Sequence, residues 1–335
     1  MNAPDQFSAP QAEPNGAAHI PLAELPEGRE LDTYALCAER EVATDRNGKQ
    51  FLRFKLRDAS GEVKAIHFDP SDEALAVRAG DVVKIRGVYS VHAQFGPQLQ
   101  VRRLRVMSAD EYDAAALIPV SPVPLHELRT RLRALIDGVT DPRLRALLER
   151  AFASDREPGA TFAVAPAAVK NHHAYRHGLL EHSIIVAEVA GGVAANFANV
   201  NRDLVVTGAL LHDIGKTQTY STDFLAPGFT DEGRLHGEIV IGHDLVRSLI
   251  AEIPEFPADL DLHLRHIIIS HHGEREKGSP VVPMTREAII VHFCDDMTAR
   301  VAACDDAQRA AEVGDRWSGY SRMLEAFVYL GSNEE

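Results

Sequence analysis

Most of the chain's 16 histidines fall between residues 172 and 292, and they come in clusters. The stretch "NHHAYRHGLLEHSIIVAEVA" contributes His172, His173, His177 and His182, and "LLHDIGK" contributes His212, Asp213 and Lys216. His236 and His243, the pair His271-His272, and His292 with Asp295 follow. One histidine on an apolar face is usually a satisfied core residue, but five clusters in one stretch need another cause. Neutral imidazole and carboxylate are ligands for divalent cations such as Mn2+, Fe2+ or Zn2+. In an adjacent His-Asp pair the carboxylate can bridge two ions while the imidazole holds one. Lys216 then places a cation beside that pair, suited to a phosphate. The ordinary alternative for Lys216 is a helix-end lysine facing water, and for the pair a helix end with a solvated tip.

Ligands this far apart in sequence must come from separate rigid elements, and helices facing a bundle centre supply them. Leucines recur at three and four residues in "LHELRTRLRALIDGV" and "DPRLRALLERAFA", a helical period. Asp141-Pro142 reads as an N-cap followed by a first-turn proline. From there to the end mainly helices are predicted, with no internal repeat. The run "LIPVSPVPLHE", residues 117–127, has prolines that interrupt any regular period.

Ahead of that run the pattern is strand-like. "LDTYALCAEREVAT" and "FLRFKLRD" flank "DRNGKQ", whose Asn-Gly is a hairpin signal. "VKAIHFD" is a third strand after the turn "ASGE". "SDEALAVRAG" is a short helix with Ser71 as N-cap and Gly80 as its stop. "DVVKIRGVYSV" and "PQLQVRRLRVM" complete five strands. Three strands, a helix and two strands is the order of an OB barrel. The expected organisation is a multidomain α+β chain: a disordered lead over 1–28, an OB-fold β-barrel over 29–107, a linker over 108–124 and an all-α helical bundle over 125–330.

The barrel segment carries 14 Lys/Arg against 11 Asp/Glu, a balance of +3 in a chain of −14. The overall charge excludes a protein coated in basic residues, so nucleic-acid contact requires a local patch or metal ions. OB barrels hold single strands with a basic groove and stacking aromatics. Arg53, Lys55, Phe68, Arg86, Tyr89 and Phe95 are the candidates here. Core packing for the rings and a solvated face for the cations are the ordinary readings. Three cysteines form neither a CxxC pair nor a disulfide framework, which fits a reducing compartment. The first two dozen residues lack the basic start and apolar run of a signal peptide. No apolar stretch approaches the roughly 20 residues that span a bilayer. A cytoplasmic protein without membrane contact is expected.

The order H…HD…HH…D, carried by "EHSIIVAEVA", "LLHDIGK", "ISHHG" and "IVHFCDD", resembles the HD-domain metal-dependent phosphohydrolases. More narrowly, "PAAVKNHHAYRHGLLEHS", "LLHDIGKT" and "SHHGEREKGSPVVPMTREAIIVHFCDDMTAR" resemble the YhaM family of 3′→5′ exoribonucleases, which also carries an amino-terminal OB barrel. With "LRDASGEVKAIHFD" and "FGPQLQV" the likeness runs from about residue 29 to 330. The resemblance implies a nuclease acting from the 3′ end of single-stranded RNA, and sometimes DNA. It implies one or two Mn2+ ions, with Fe2+, Co2+ or Mg2+ as alternatives, and a metal-activated water as nucleophile. On this reading His182, His212, Asp213 and Asp295 form the core metal set, with Asp213 bridging. His271 and His272, with Glu238 or His243, complete a second site. Lys216 neutralises the phosphate, Gly215 permits close approach, His172, His173 and Tyr175 contact substrate or form an outer shell, and His292 lies in the core or behind the ligands.

Two positions depart from the family pattern. Glu238 stands in "LHGEIVIGHDLV" where the family has a histidine in Gly-His-Ile, which changes the second metal position. "CDDMTAR" has Asp296 where the family often has asparagine, and Thr298 near a usual aspartate. Two other function classes fit less well. A nucleotide or cyclic-dinucleotide phosphohydrolase has little use for the barrel, and "HHGEREKGSP" lacks the Gly-Tyr-Pro of cyclic-di-GMP hydrolases. A non-catalytic single-strand-binding protein would not need the ligand set. A homo-oligomer is a further option.

Overall fold

A computed structural model describes residues 18–92, 96–168, 173–221, 223–225, 228–311 and 314–331. The chain divides into two compact units, Met1–Pro119 and Val120–Glu335.

The first unit is a closed barrel of five strands: β1 (Glu30–Thr44), β2 (Gln50–Arg57), β3 (Glu62–His67), β4 (Val82–His92) and β5 (Gly96–Val106), in the order β1-β2-β3-β5-β4. β3 pairs with β5 in parallel, every other pair is antiparallel, and β1 closes on β4. This is the OB arrangement. Strand alternation sends Leu52, Phe54 and Leu56 of β2 into the barrel core with Leu31, Val83, Ile85 and Leu99. Short helix α1 (Asp72–Ala76) follows β3, and the Ser71 side chain accepts from the Ala74 amide as its N-cap. The hairpin between β1 and β2 is closed by Asp45, whose carboxylate accepts from the amides of Asn47 and Lys49.

Two expectations at the barrel's ends need correction. Residues 20–25, expected within a disordered lead, are ordered on the barrel. Thr33 Oγ1 accepts from the Ile20 amide and donates to its carbonyl, and buried Asp58 accepts from the Leu22 amide at 2.7 Å. Leu22 and Leu25 complete the core. Part of the expected linker is also bound to the barrel. The Ala59 amide donates to Ala116, the Asp113 amide to the Tyr34 hydroxyl at 3.2 Å, and Leu117 is fully buried. Apolar residues between prolines hid both segments from a reading of periods.

The second unit is helical: α2 (Leu125–Asp137), α3 (Pro142–Ala151), α4 (Gly159–Phe162), α5 (Gly178–Ala194), α6 (Arg202–Leu211), α7 (Lys216–Thr219), α8 (Asp231–Ala251), α9 (Ala258–Ser270) and α10 (Arg286–Arg309). Side-chain caps set the starts that matter for the site. Asp141 caps α3 with Pro142 in the first turn, Asn201 caps α6, Thr230 caps α8 and Thr285 caps α10. α5 is buried on nearly all sides and lies against α6 and α10. Leu180, Ile184, Leu210, Leu211, Ile267 and Val291 knit these helices into one core. Contrary to the all-α unit expected over 125–330, the described chain does not stay helical beyond α10. It finishes in a hairpin of β6 (Trp317–Ser321) and β7 (Ala326–Tyr329). No described helix is long and apolar enough to cross a membrane.

Candidate metal centre

α6 is an apolar helix whose last turn delivers His212 and Asp213 into the core, where both are almost completely buried. The solvated tip is thereby excluded. α5 supplies His182 from its second turn and α10 supplies Asp295. Four ligand atoms converge. His182 Nε2 lies 3.2 Å from His212 Nε2, 3.1 Å from Asp295 Oδ1 and 3.5 Å from Asp213 Oδ2. His212 Nε2 is 3.2 Å from Asp213 Oδ2 and 3.6 Å from Asp295 Oδ1. The C-terminal end of α9 adds His271, whose Nε2 is 3.6 Å from Asp213 Oδ1.

The backbone sets the tautomers. Nδ1–H of His212 donates to the Ala209 carbonyl at 2.6 Å, and Nδ1–H of His271 donates to Ile268 at 2.7 Å. Each ring therefore turns Nε2 inward, where a metal would take the place of any proton, the arrangement by which outer hydrogen bonds orient metal-binding histidines. Asp213 Oδ1 and His271 Nε2 are buried and have no hydrogen-bond partner among the described residues. Burial alone pushes the His212 imidazolium down, but Asp213 and Asp295 outweigh it and hold its pKa up at about 10. Burial likewise works against ionised Asp295 and Asp213. The His212 charge holds Asp295 well below the usual carboxylate range, and Lys216 followed by His212 does so for Asp213. A field that favours a proton between these groups favours any cation there. The donor set, the orphaned lone pairs and the field all fit a divalent metal.

A second group adjoins it. Glu238, His271 and His272 bring ligand atoms within 4.8 Å of one another. His272 Nε2 is 3.3 Å from Glu238 Oε1, and its Nδ1–H donates to the Lys277 carbonyl. α8 breaks at Gly237, one residue before Glu238. At the start of α7 the backbone nearly touches α8, because a Cβ at Gly215, the residue before α7, would lie 2.0 Å from the Glu238 carbonyl. Gly215 thus serves helix contact, with α8 as the group it admits.

His243 does not join this group. Its Nε2 faces the Arg265 guanidinium at 3.1 Å and its Nδ1 lies 3.4 Å from Asp244, so a neighbouring cation already occupies its metal-binding side. Lys216 is also placed differently from a helix-end lysine in water. Its ammonium donates to Asp213 Oδ2 at 2.8 Å and lies 3.9 Å from Glu238 Oε1. Burial opposes its charge, yet these carboxylates raise its pKa.

His172 lies outside the described residues. His173 sits beside the first ligand group, its ring 5.6 Å from that of His182. Tyr175 is committed to the scaffold, since its hydroxyl donates to buried Glu181 at 2.8 Å and lies 2.6 Å from His173 Nδ1. Sequence reasoning missed Glu181, although it precedes His182. It also missed how His292 acts: Nδ1–H of His292 donates to the His271 carbonyl at 2.8 Å. Gly273 makes room for that ring, because a Cβ there would meet it at 2.0 Å.

The barrel candidates separate. Arg53 and Lys55 share the outer face of β2. Arg53 lies 5.2 Å above the Phe51 ring and 3.7 Å from Glu41, and Lys55 pairs with Glu62 at 2.6 Å. Phe68, 51% exposed, stacks 5.7 Å from Phe51 on the same unit. Arg86 is opposite Asp32 on β1, nine residues from Glu41, the partner of Arg53. That is roughly 30 Å along the strand, so Arg86 lies toward the other end of β1 from Arg53. Tyr89 is half-buried, its ring packed partly against the barrel core. Phe95 lies outside the described residues.

The HD domain family matches residues 179–300, which span the ligands from His182 to Asp295. The 3′-5′ exoribonuclease YhaM of Bacillus velezensis is 32% identical over 86% of this chain and 90% of its own length. The enzyme of the same name from Bacillus subtilis gives the same figures. The chain belongs to the YhaM family of 3′→5′ exoribonucleases. It is an HD-domain hydrolase, and HD chemistry implies dependence on a divalent metal. The barrel is similar to the second OB-fold domain of replication protein A from Methanococcus maripaludis, with 15% identity over 27% of this chain and 96% of that one, at a TM-score of 0.23.

Proposed function

We propose that the protein removes nucleotides from the 3′ end of single-stranded RNA as nucleoside monophosphates, with single-stranded DNA as a further substrate. The carrying observation is the buried convergence of His182, His212, Asp213 and Asp295, with Glu238, His271 and His272 adjoining. When bound, divalent cations such as Mn2+ supply the Lewis acidity that makes water a nucleophile at neutral pH and polarises phosphoryl oxygens. The histidines present lone pairs fixed by their backbone hydrogen bonds. Asp213, whose Oδ2 faces His182 and His212 and whose Oδ1 faces His271, would be the ligand shared between the two groups. Lys216 holds Asp213 and Glu238 in place and lends positive charge to the side where a phosphodiester docks. His173 stands beside His182.

Division of labour follows the two units. The barrel, residues 29–107, holds upstream single strand on the β2 face of Arg53 and Lys55 with exposed Phe68 beside it, where ring and cations suit bases and phosphates. The helical unit, residues 125–330, cuts. Polarity comes from the family likeness rather than from any spacing. A 3′-labelled strand should release labelled mononucleotide at once with Mn2+, and a 5′-labelled strand should shorten as a ladder. Equal cutting of circular and linear strands, or labelled mononucleotide first from the 5′ end, overturns the reading.

A further inference from the structure

The terminal hairpin is built with its rings outward. Trp317 is opposite Tyr329 and Tyr320 opposite Phe327, with ring centroids 5.1 and 5.5 Å apart. Phe327 and Tyr329 are two residues apart on β7, hence on one face. An irregularity in β6 between Trp317 and Tyr320 brings both of their rings to that same face. All four rings remain 55–59% exposed. The opposite face is small: Ser318 is buried, accepts from the Val328 amide at 2.9 Å, and belongs to the side that meets α10. A monomer would gain by turning the rings inward and the serine out. The HD family match ends at residue 300, so the hairpin lies beyond it.

α10, on which the hairpin packs, carries a second apolar row. Ile289, Phe293, Met297 and Val301 are spaced by four residues and are 44–64% exposed. Such a row is one complete ridge for packing against another helix. Aromatic side chains carry roughly 150–250 Å2 each, so the four half-exposed rings leave on the order of 400 Å2 uncovered. The α10 row exposes a comparable area of its own, so a copy that covers both buries about 800 Å2 on each partner, the share of a standard interface. The hairpin rim is electrically balanced, with Asp315 and Glu325 against Arg316 and Arg322. A polyanion gains little from a neutral rim, whereas two chains of charge −14 meet most easily where charge is balanced.

We infer that the hairpin's aromatic face and the α10 row form a self-association surface, occupied by the same surface of a second copy of this chain. The pairing is isologous, with rings against rings about a twofold axis. The test uses the full chain, compared by sedimentation velocity and light scattering with a Trp317→Lys/Phe327→Lys variant and a milder Tyr320→Ser/Tyr329→Ser variant. Circular dichroism and hydrolysis of bis-p-nitrophenyl phosphate check that each remains folded. The unaltered chain should be dimeric or larger. At least one folded variant should self-associate roughly 30-fold or more weakly, the loss expected for central aromatic anchors. A monomeric parent at micromolar concentration overturns the inference, as does unchanged assembly in both folded variants. If assembly is unchanged while single-strand affinity falls, the face belongs to nucleic acid and the inference is likewise wrong. None of these outcomes depends on which end of a strand is cut.

Discussion

Replacing Lys216 by methionine removes an ammonium that contacts buried Asp213 and half-buried Glu238 and keeps the apolar stem. Nζ donates to Asp213 Oδ2 at 2.8 Å, and the Asp213 side chain is only 2% exposed. Removing one member of a buried ion pair costs about 3–5 kcal/mol, because the remaining charge is left unmatched. Methionine preserves most of the packing, so little of that loss comes from a cavity. A bound cation stabilises parent and variant alike, but without the ammonium it meets one more unmatched carboxylate charge and should bind the variant more tightly. The deficit should therefore be large in chelator and much smaller in saturating Mn2+, measured by urea unfolding.

The same variant carries a pH signature. The folded Asp213 carboxyl lies well below its ordinary value. Its contribution is therefore complete above the unfolded pKa of about 3.9 and is lost as pH falls through the depressed folded value. The gap between parent and variant in chelator should be widest near neutrality and close in acid. A gap under about 1 kcal/mol in chelator, the size of an ordinary surface change, would refute the pairing. So would a gap that does not narrow on acidification.

Three further outcomes are expected. In the metal-free protein, His212 is held at about 10 against an ordinary 6.5, so its contribution is complete below 6.5 and is lost as pH rises toward 10; chelated protein should lose stability over that window and metal-loaded protein should not, as followed by thermal unfolding. Gly273→Ala puts a Cβ 2.0 Å from the His292 ring at a φ of +80°, which should cost about 2 kcal/mol or more and weaken divalent-ion binding by displacing the support of His271, read by calorimetry. Arg53→Ala should lower single-strand affinity and reduce the salt slope by about one, Phe68→Ala should cost about 1–3 kcal/mol of stacking, and Arg86→Ala should change neither in a filter-binding titration.

The strand order of the barrel was readable because each element carries its own signal. The Asn47-Gly48 turn, the Ser71 cap and the alternation in β2 all act locally. The ligand order was readable for a similar reason: His212-Asp213 and His271-His272 end apolar helices, where side chains must point into a core. What sequence could not rank was competition for a side chain. His243 and Glu238 lie five residues apart in α8, and either could reach a metal. Arg265, on α9, takes His243, and the break at Gly237 gives Glu238 its place. Tyr175 was equally suited to substrate until Glu181 accepted its hydroxyl. Tertiary partners decide these cases, and no local period records them. The terminal hairpin escaped because its strands are only five and four residues long and its bulge hides the alternation.

Glu238 also changes the charge of the centre. With neutral imidazoles, Asp213, Asp295 and Glu238 against Lys216 leave a net charge of minus two around the two ligand groups. One divalent cation balances that charge. A second brings an excess that these groups do not offset, in a site where unmatched charge is costly. An anionic phosphodiester entering the site supplies the missing negative charge. A histidine at position 238 would make even the first ion partly uncompensated. Calorimetric titration of the chelated protein with Mn2+ should therefore show one tight site. A second should become tight only with a non-hydrolysable single strand present, and Glu238→His should weaken both. Two ions bound with equal affinity in the absence of any strand would defeat the charge argument, and Glu238 would then be a ligand chosen for shape alone.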